Sequence, residues 1–313
     1  MTKTKIFLFI CVLTCLSTTA QKKLKFKDLP DMQNARAGIT TAADKNSIYV
    51  SCGFGHRAYG TSVIEKFDIK NNVWTVLTNS LAAKRYCSSI IIGNNLYVLN
   101  GQNEKAYNNK VEVVSLTDGS ITFAKENPLP RRIGGAASWN GSIYVFGGAI
   151  STDTSKKNPK HVYTNKLYKF DTSTQEWKEL ANMPEAKETQ GEIIEGKLYV
   201  IGGFNGKVSN RVDMYDINTN TWTDFGTIPD SLSAHVLVAH GNKIFIVGDY
   251  TKLTTVACYD VSTKTYTRFD NNMIKRRHAG IEIVDGKLYI MGGNQAADNK
   301  TLLTSFQVTN LPD

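Results

Sequence analysis

Only five cysteines and five histidines occur in the 313 residues. Two of the cysteines, Cys11 and Cys15, fall within the first twenty residues. The remaining three, Cys52, Cys87 and Cys258, can form at most one disulfide, which excludes a disulfide framework. Their expected state is that of buried thiols. No CxxC pair and no His-rich spacing is present, so no metal site and no cofactor is implied. After residue 20 no apolar stretch approaches the length of a membrane span. The 3.6-residue periodicity of helical repeats is missing as well. Charge of one sign is not concentrated either. Of 37 Lys and Arg, the two at positions 3 and 5 belong to the N-terminal segment, leaving a modest excess over 28 Asp and Glu. The one basic run is "KKNPKH" at 156–161. This is too diffuse for nucleic-acid binding. Outside a cytoplasm it suits anionic glycans or acidic surfaces.

The N-terminus supplies a compartment. Lys3 and Lys5 precede an apolar region, Ile6 to Leu16, and then the small residues Ser17 to Ala20. That order is the layout of a secretory signal peptide, and the apolar part is too short to cross a bilayer as a stable helix. Residues 1–20 are therefore expected to be removed after Ala20, leaving 21–313 as one exported domain, periplasmic or extracellular. Thr14 fits a lipidation pattern at Cys15 poorly.

What is abundant is repetition. "GSIYVFGG" at 141–148, "GKLYVIGG" at 196–203 and "GKLYIMGG" at 286–293 are close copies, and "KNSIYVSCG", "NNLYVLNG" and "NKIFIVGD" are weaker ones. Taking the second glycine of each as Gly53, Gly101, Gly148, Gly203, Gly248 and Gly293 gives spacings of 45 to 55 residues. That period fits four-stranded propeller blades. In each unit a first strand leads through an Asn-Gly, Glu-Gly or Asp-Gly turn into an apolar second strand, as expected for strands buried on both faces. A third strand follows, then a turn such as "FDTSTQEW" at 170–177 or "YDINTNTW" at 215–222. Its Asp suits an Asx turn. Its terminal aromatic suits packing between blades, not cofactor stacking.

The glycine pair, the tyrosine before it and the Tyr-Asp-…-Trp turn resemble the kelch repeat over nearly the whole of residues 21–313. Units three, four and six are clear. The second has "LNG" and Phe123 in place of the pair and the tryptophan, and the fifth has Gly248-Asp249 and Tyr266. WD40 repeats fit less well, because no Trp-Asp dipeptide closes a unit. The sixth unit ends after its third strand, "LTSFQV", and "KLKFKDLP" at 23–30 can supply the fourth, with Phe26 at the tryptophan position. The expectation is an all-β, six-bladed β-propeller closed by its N-terminal strand, which leaves few exposed edges.

Function must then lie in loops and channel. Counting twelve residues back from each repeat aromatic gives Arg85, Arg132, Lys187, Ser233 and Arg277. With one extra residue in the first unit, Arg36 joins them. Such a ring of cations at a channel mouth is a candidate anion site, although an arginine there can equally serve only to anchor loops. Loops on the same face add Arg57, Tyr59, Asn103, Tyr163, Asn205 and Asn294 as candidate ligand contacts, with His278 beside Arg277. Glu192 and Glu282, equivalent positions on first strands, are candidates for proton transfer or simply solvated carboxylates.

Two functions follow. The first is a non-catalytic, monomeric binding module for a protein or for an anionic or neutral carbohydrate. The second comes from a distant similarity to exported sialic acid mutarotases (N-acetylneuraminate epimerases), kelch propellers of similar size that use a Glu and an Arg. The resemblance implies an anionic sugar, with Glu192 and Arg132 or Arg277 standing in by chemistry alone. A copper oxidase of the galactose oxidase kind would need His and Tyr ligands that these few histidines do not supply.

Overall fold

A computed structural model describes residues 23–104, 106–151, 161–296 and 300–312. The expected signal peptide lies outside them, as does most of the long loop of the third unit. Every regular element among the described residues is a β-strand; most form six four-stranded antiparallel blades, and two short pairs lie beside them, Lys23–Leu24 with Asp270–Asn271 and Ala149–Ser151 with His161–Tyr163. From the channel outwards, blade 1 is Thr40–Ala43, Ser47–Ser51, Ile64–Asp68 and Val73–Thr78. Blade 2 is Arg85–Ile92, Asn95–Gln102, Val111–Ser115 and Ile121–Ala124. Blade 3 is Gly135–Trp139, Ser142–Phe146, Leu167–Asp171 and Glu176–Glu179. Blade 4 is Glu188–Ile194, Lys197–Phe204, Ser209–Asp216 and Thr221–Leu232. Blade 5 is Val236–His240, Lys243–Val247, Val256–Asp260 and Thr265–Arg268. Blade 6 is Gly280–Val284, Lys287–Met291, Phe306–Asn310 and, from the other end of the chain, Lys27–Leu29. Innermost strands of adjacent blades touch all the way round, including blade 6 against blade 1.

The local chemistry explains the repeats. Asn140-Gly141, Glu195-Gly196 and Asp285-Gly286 have φ of 46° and 71°, 49° and 74°, and 47° and 68°. Positive φ at both centres is the turn whose twist matches a hairpin. At the outer hairpins Asp171 Oδ1 accepts the amides of Ser173 (3.0 Å) and Thr174 (3.2 Å), and Asp216 and Asp260 do the same. The tryptophans then tie blades together. The indole N–H of Trp74 donates to Pro30 O (2.8 Å), that of Trp177 to Lys125 O (3.0 Å) and that of Trp222 to Ala181 O (2.8 Å). Each acceptor follows the outermost strand of the preceding blade. Tyr266 reaches the same neighbour by another route, donating its hydroxyl to Asp230 Oδ2 at 2.7 Å. Phe123 departs from the packing expected of this position: it is 60% exposed, with Lys110 over its ring.

The closing strand pairs as anticipated, Lys27 with Val308 and Leu29 with Phe306. Phe26 is buried and exchanges two hydrogen bonds with Asn272, of 2.7 and 3.0 Å. The second glycine of the pair has a purpose between blades. Gly148 N–H donates to Lys187 O of the next blade at 2.8 Å, as Gly53, Gly101 and Gly293 do to Lys84, Arg131 and Arg36. A Cβ on Gly148 would stand 2.8 Å from Arg132 O, at a φ of 92°. Gly248 is not the second glycine of its unit. Its amide bonds Thr255 within the blade, as Gly147 bonds Lys166 and Gly292 bonds Ser305, so it is the first glycine and Asp249 takes the second place. The thiol expectation also needs correction: Cys52 and Cys87 form a disulfide between blades 1 and 2. The fold brings the first-glycine position of one blade against the innermost strand of the next, and sequence spacing does not show that proximity.

Candidate functional site at the channel mouth

Two rings of residues, not one, encircle the channel mouth. The inner-facing positions Arg36, Lys84, Arg131, Lys187 and Arg276 are buried inside their own blades, each at 2% exposure or less. Arg131 Nη1 donates to Gly147 O (2.9 Å) and Lys166 O (3.0 Å), and Arg276 Nη1 to Gly292 O and Ser305 O. Arg36 Nη1 holds Cys52 O and Val63 O in the same way, and its Nη2 lies 3.4 Å from Glu65. Lys84 pairs with Glu112 at 2.7 Å, and Lys187 with Asp213 at 3.3 Å. The arginines tie the end of the second strand to the start of the third, and the lysines pair with carboxylates on the third strand. Arg36 and Lys187 therefore belong to this anchoring ring and do not reach the mouth. The counting from the aromatic was out by one in two blades. Twelve residues back from Tyr49 is Ala37, with no extra residue, and blade 4 is one residue short.

The second ring follows immediately in sequence: Ala37, Arg85, Arg132, Glu188, Ser233 and Arg277. Arg85 lies 3.8 Å over the Tyr59 ring and Arg277 4.0 Å over Tyr250. Arg132 donates from Nε to Glu188 (3.1 Å) and from Nη1 to Gln102 (3.2 Å), and Gln102 in turn contacts the Tyr59 hydroxyl. The next residue is left-handed in five blades: Gly38, Tyr86, Ile133, Ala234 and His278, with φ between 47° and 62°. This turns their backbones toward one another. His278 N–H donates to Ala234 O, Gly38 to His278 O, Tyr86 to Gly38 O and Ile133 to Tyr86 O, at 3.1, 3.0, 2.8 and 3.4 Å. A belt of amide hydrogen bonds thus runs through blades 5, 6, 1, 2 and 3.

Blade 4 lacks that left-handed residue. Glu188 pairs with Phe204 but Gln190 with Ile201, two residues on the inner strand against three on its partner. Beside this gap lies a cavity of about 490 Å3, lined among others by Tyr86, Arg132, Glu188, Phe204, His235 and Tyr250. Burial first, then the guanidiniums of Arg277, Arg132 and Arg85, push His278 down to about 3. Burial likewise holds His235 at about 4, its Nε2 bonded to Ile201 O. Both imidazoles are neutral at ordinary pH. Burial raises the Glu188 carboxyl and Arg132 opposes that rise.

Other loop candidates spread over the rim. His56, Arg57 and Tyr59 are exposed. Tyr163 packs edge-on against Phe204, with centroids 6.1 Å apart, and the Tyr107 hydroxyl meets His161 Nδ1 at 2.5 Å. Asn103 is exposed and caps its own loop at Ala106 N, while Asn205 donates to Glu185. Asn294 is buried and turns its amide onto Ala296 O. Glu192 and Glu282 are not at the mouth. They line the channel beneath, in a second cavity of about 320 Å3. Tyr86, Ile133 and His235 escaped the sequence reading, because none of these residue types signals its place at the mouth.

Six four-stranded blades with glycine-ended second strands, three of them latched by tryptophan, define a six-bladed β-propeller. The KLHDC2/KLHL20/DRC7 Kelch-repeats domain matches residues 10–189 and, overlapping, 83–249, and the chain belongs to the kelch-repeat family. It is similar to the spermatocyte protein spe-26 of Caenorhabditis elegans, 29% identical over 194 residues, covering 60% of this chain and 33% of that protein. Kelch-like protein 40 of Xenopus laevis is 25% identical over 222 residues, 68% of this chain and 35% of that one. Kelch domain-containing protein 10 of Homo sapiens is 25% identical over 253 residues, 69% and 55%. The chain thus spans from a third to about half the length of these relatives.

Proposed function

We propose that the protein is an exported, monomeric, non-catalytic kelch propeller that binds an acidic group of a protein partner or a carbohydrate at the channel mouth. The observation that carries this reading is Arg277. It is 5% exposed, and among the described residues its Nε has no partner and its side chain finds one acceptor, Tyr250 O at 3.4 Å. A buried cation short of acceptors is costly, and an incoming carboxylate would supply them. Arg85, with an equally unpartnered Nε over Tyr59, repeats the arrangement. The aromatic rings and the cavity beside blade 4 offer room for the body of the ligand. Export is supported by the layout of residues 1–20 and by the Cys52–Cys87 disulfide, since such bonds persist in oxidising compartments.

The test is a thermal-shift titration with N-acetylneuraminic acid, N-acetylglucosamine and a glutamate-rich peptide. An acidic probe should raise the melting temperature with concentration, and Arg132→Ala and Arg277→Ala should remove the response. A flat response to all three ends this reading. The mutarotase alternative draws on one observation: burial pushes Glu192 up to about 8 and Glu282 up to about 7, within reach of proton transfer near neutrality. Gln190 lines both cavities, which therefore adjoin. NMR of N-acetylneuraminate should then show anomer exchange accelerated by the wild type and not by Glu192→Gln.

A further inference from the structure

We propose that the central channel binds a hard divalent cation of the calcium class between Glu192 of blade 4 and Glu282 of blade 6. The two carboxylates stand at one depth, since each residue pairs across its hairpin with the repeat tyrosine, Tyr199 or Tyr289. They face the same cavity, and no lysine, arginine or histidine is among the residues lining it. The anchoring arginines Arg36, Arg131 and Arg276 spend their guanidiniums on backbone carbonyls of their own blades. Two carboxyl groups therefore share one cavity with no basic side chain on its wall.

The rest of the wall supplies oxygen. Thr40, Thr41, Ser88, Ser89 and Gln190 line the same cavity. Ser89 is 6% exposed and its Oγ has no hydrogen-bond partner. Each innermost strand is paired on one side only, so backbone carbonyls of its free edge also face the channel. Carboxylate, hydroxyl and carbonyl oxygens without thiolate or imidazole suit Ca²⁺ or Mg²⁺ and disfavour zinc or copper. The volume of about 320 Å3 leaves space for several retained waters beside the ion. Mutual repulsion adds to burial in raising Glu192, and a cation would relieve it.

Calorimetric titration of chelator-treated protein with CaCl₂ at pH 7.5 tests this site, in two buffers of different ionisation enthalpy. One site is expected, with a Kd of roughly 10⁻⁴ to 10⁻³ M for so few charged ligands. Proton release should appear as buffer-dependent heat, because carboxyls protonated in the free channel must ionise. Glu192→Gln and Glu282→Gln should each weaken binding at least roughly tenfold. No heat up to roughly 10 mM, or equal binding by the double Gln variant, overturns the proposal. Should either variant fail to fold, binding to the wild type without proton release overturns it equally.

Discussion

Blades 4 and 6 share a fold and differ by one residue where it counts. In blade 6 a buried arginine, a mouth arginine and a left-handed histidine follow in order, Arg276, Arg277 and His278. In blade 4 Lys187 and Glu188 are followed at once by Thr189, which is not left-handed. Losing that one residue removes a link of the amide belt beside the cavity, and Glu188 sets a carboxylate where blades 2, 3 and 6 hold an arginine. The repeat builds a symmetric ring, and the deletion gives that ring a front. The departure from the repeat marks the place where the ring loses its symmetry.

The difference can be broken at its anchors first. Lys84→Met in blade 2 leaves Glu112, 1% exposed, without its counter-charge. It should cost about 3–5 kcal/mol, read from urea unfolding. Lys187→Met in blade 4 should cost less, because Arg211 still donates to Asp213 at 2.8 Å. Equal losses would show that the blades are anchored alike. Next comes the missing link. A glycine inserted between Glu188 and Thr189 should restore the count, raise amide protection around Ile133 and Ala234 in hydrogen exchange, and abolish the acidic-probe response. Retained probe binding would detach the site from the gap. Smaller still are the latches: Trp222→Phe should lose about 1 kcal/mol through its hydrogen bond to Ala181, whereas Phe123→Leu, at an exposed latch position, should be nearly silent in thermal melts.

Acid and base should act on opposite parts of the molecule. Glu192 and Glu282 titrate higher folded than unfolded, so their stabilising contribution is complete below about 4.5 and fades as pH rises through about 7 to 8. His235 and His278 titrate lower folded than unfolded, so their contribution is complete above about 6.5 and is lost as pH falls toward 4 and 3. A melting-temperature profile should fall off on both sides of mildly acidic pH. Glu192→Gln should flatten only its alkaline limb; an unchanged limb would place the alkaline loss elsewhere.

The blades were legible because each hairpin writes its turn, its buried strand and its latch into neighbouring residues. Even the closing strand could be read, as Phe26 lies one repeat length before Trp74. The mouth was legible in part. Arg85, Arg132 and Arg277 stand where the count put them, but Arg36 and Lys187 do not, because a count cannot see where a strand drops a residue. The belt was invisible, as left-handed Tyr86, Ile133 and His278 are residue types that give no hint of positive φ. The pairing of Cys52 with Cys87 depends on contact between blades, which no local pattern records.

The closing strand also sets an order of events. Asp28 meets Gln307 across 279 positions of sequence. A chain delivered N-terminus first at about 5 to 20 residues per second would keep Lys27–Leu29 waiting roughly 15 to 55 s for its partner. Throughout that interval five blades can stack while the last interface stays open, and the waiting edge is exposed to any other strand that passes. Ring closure is therefore the last pairing that synthesis makes possible, because its two strands lie at opposite ends of the chain.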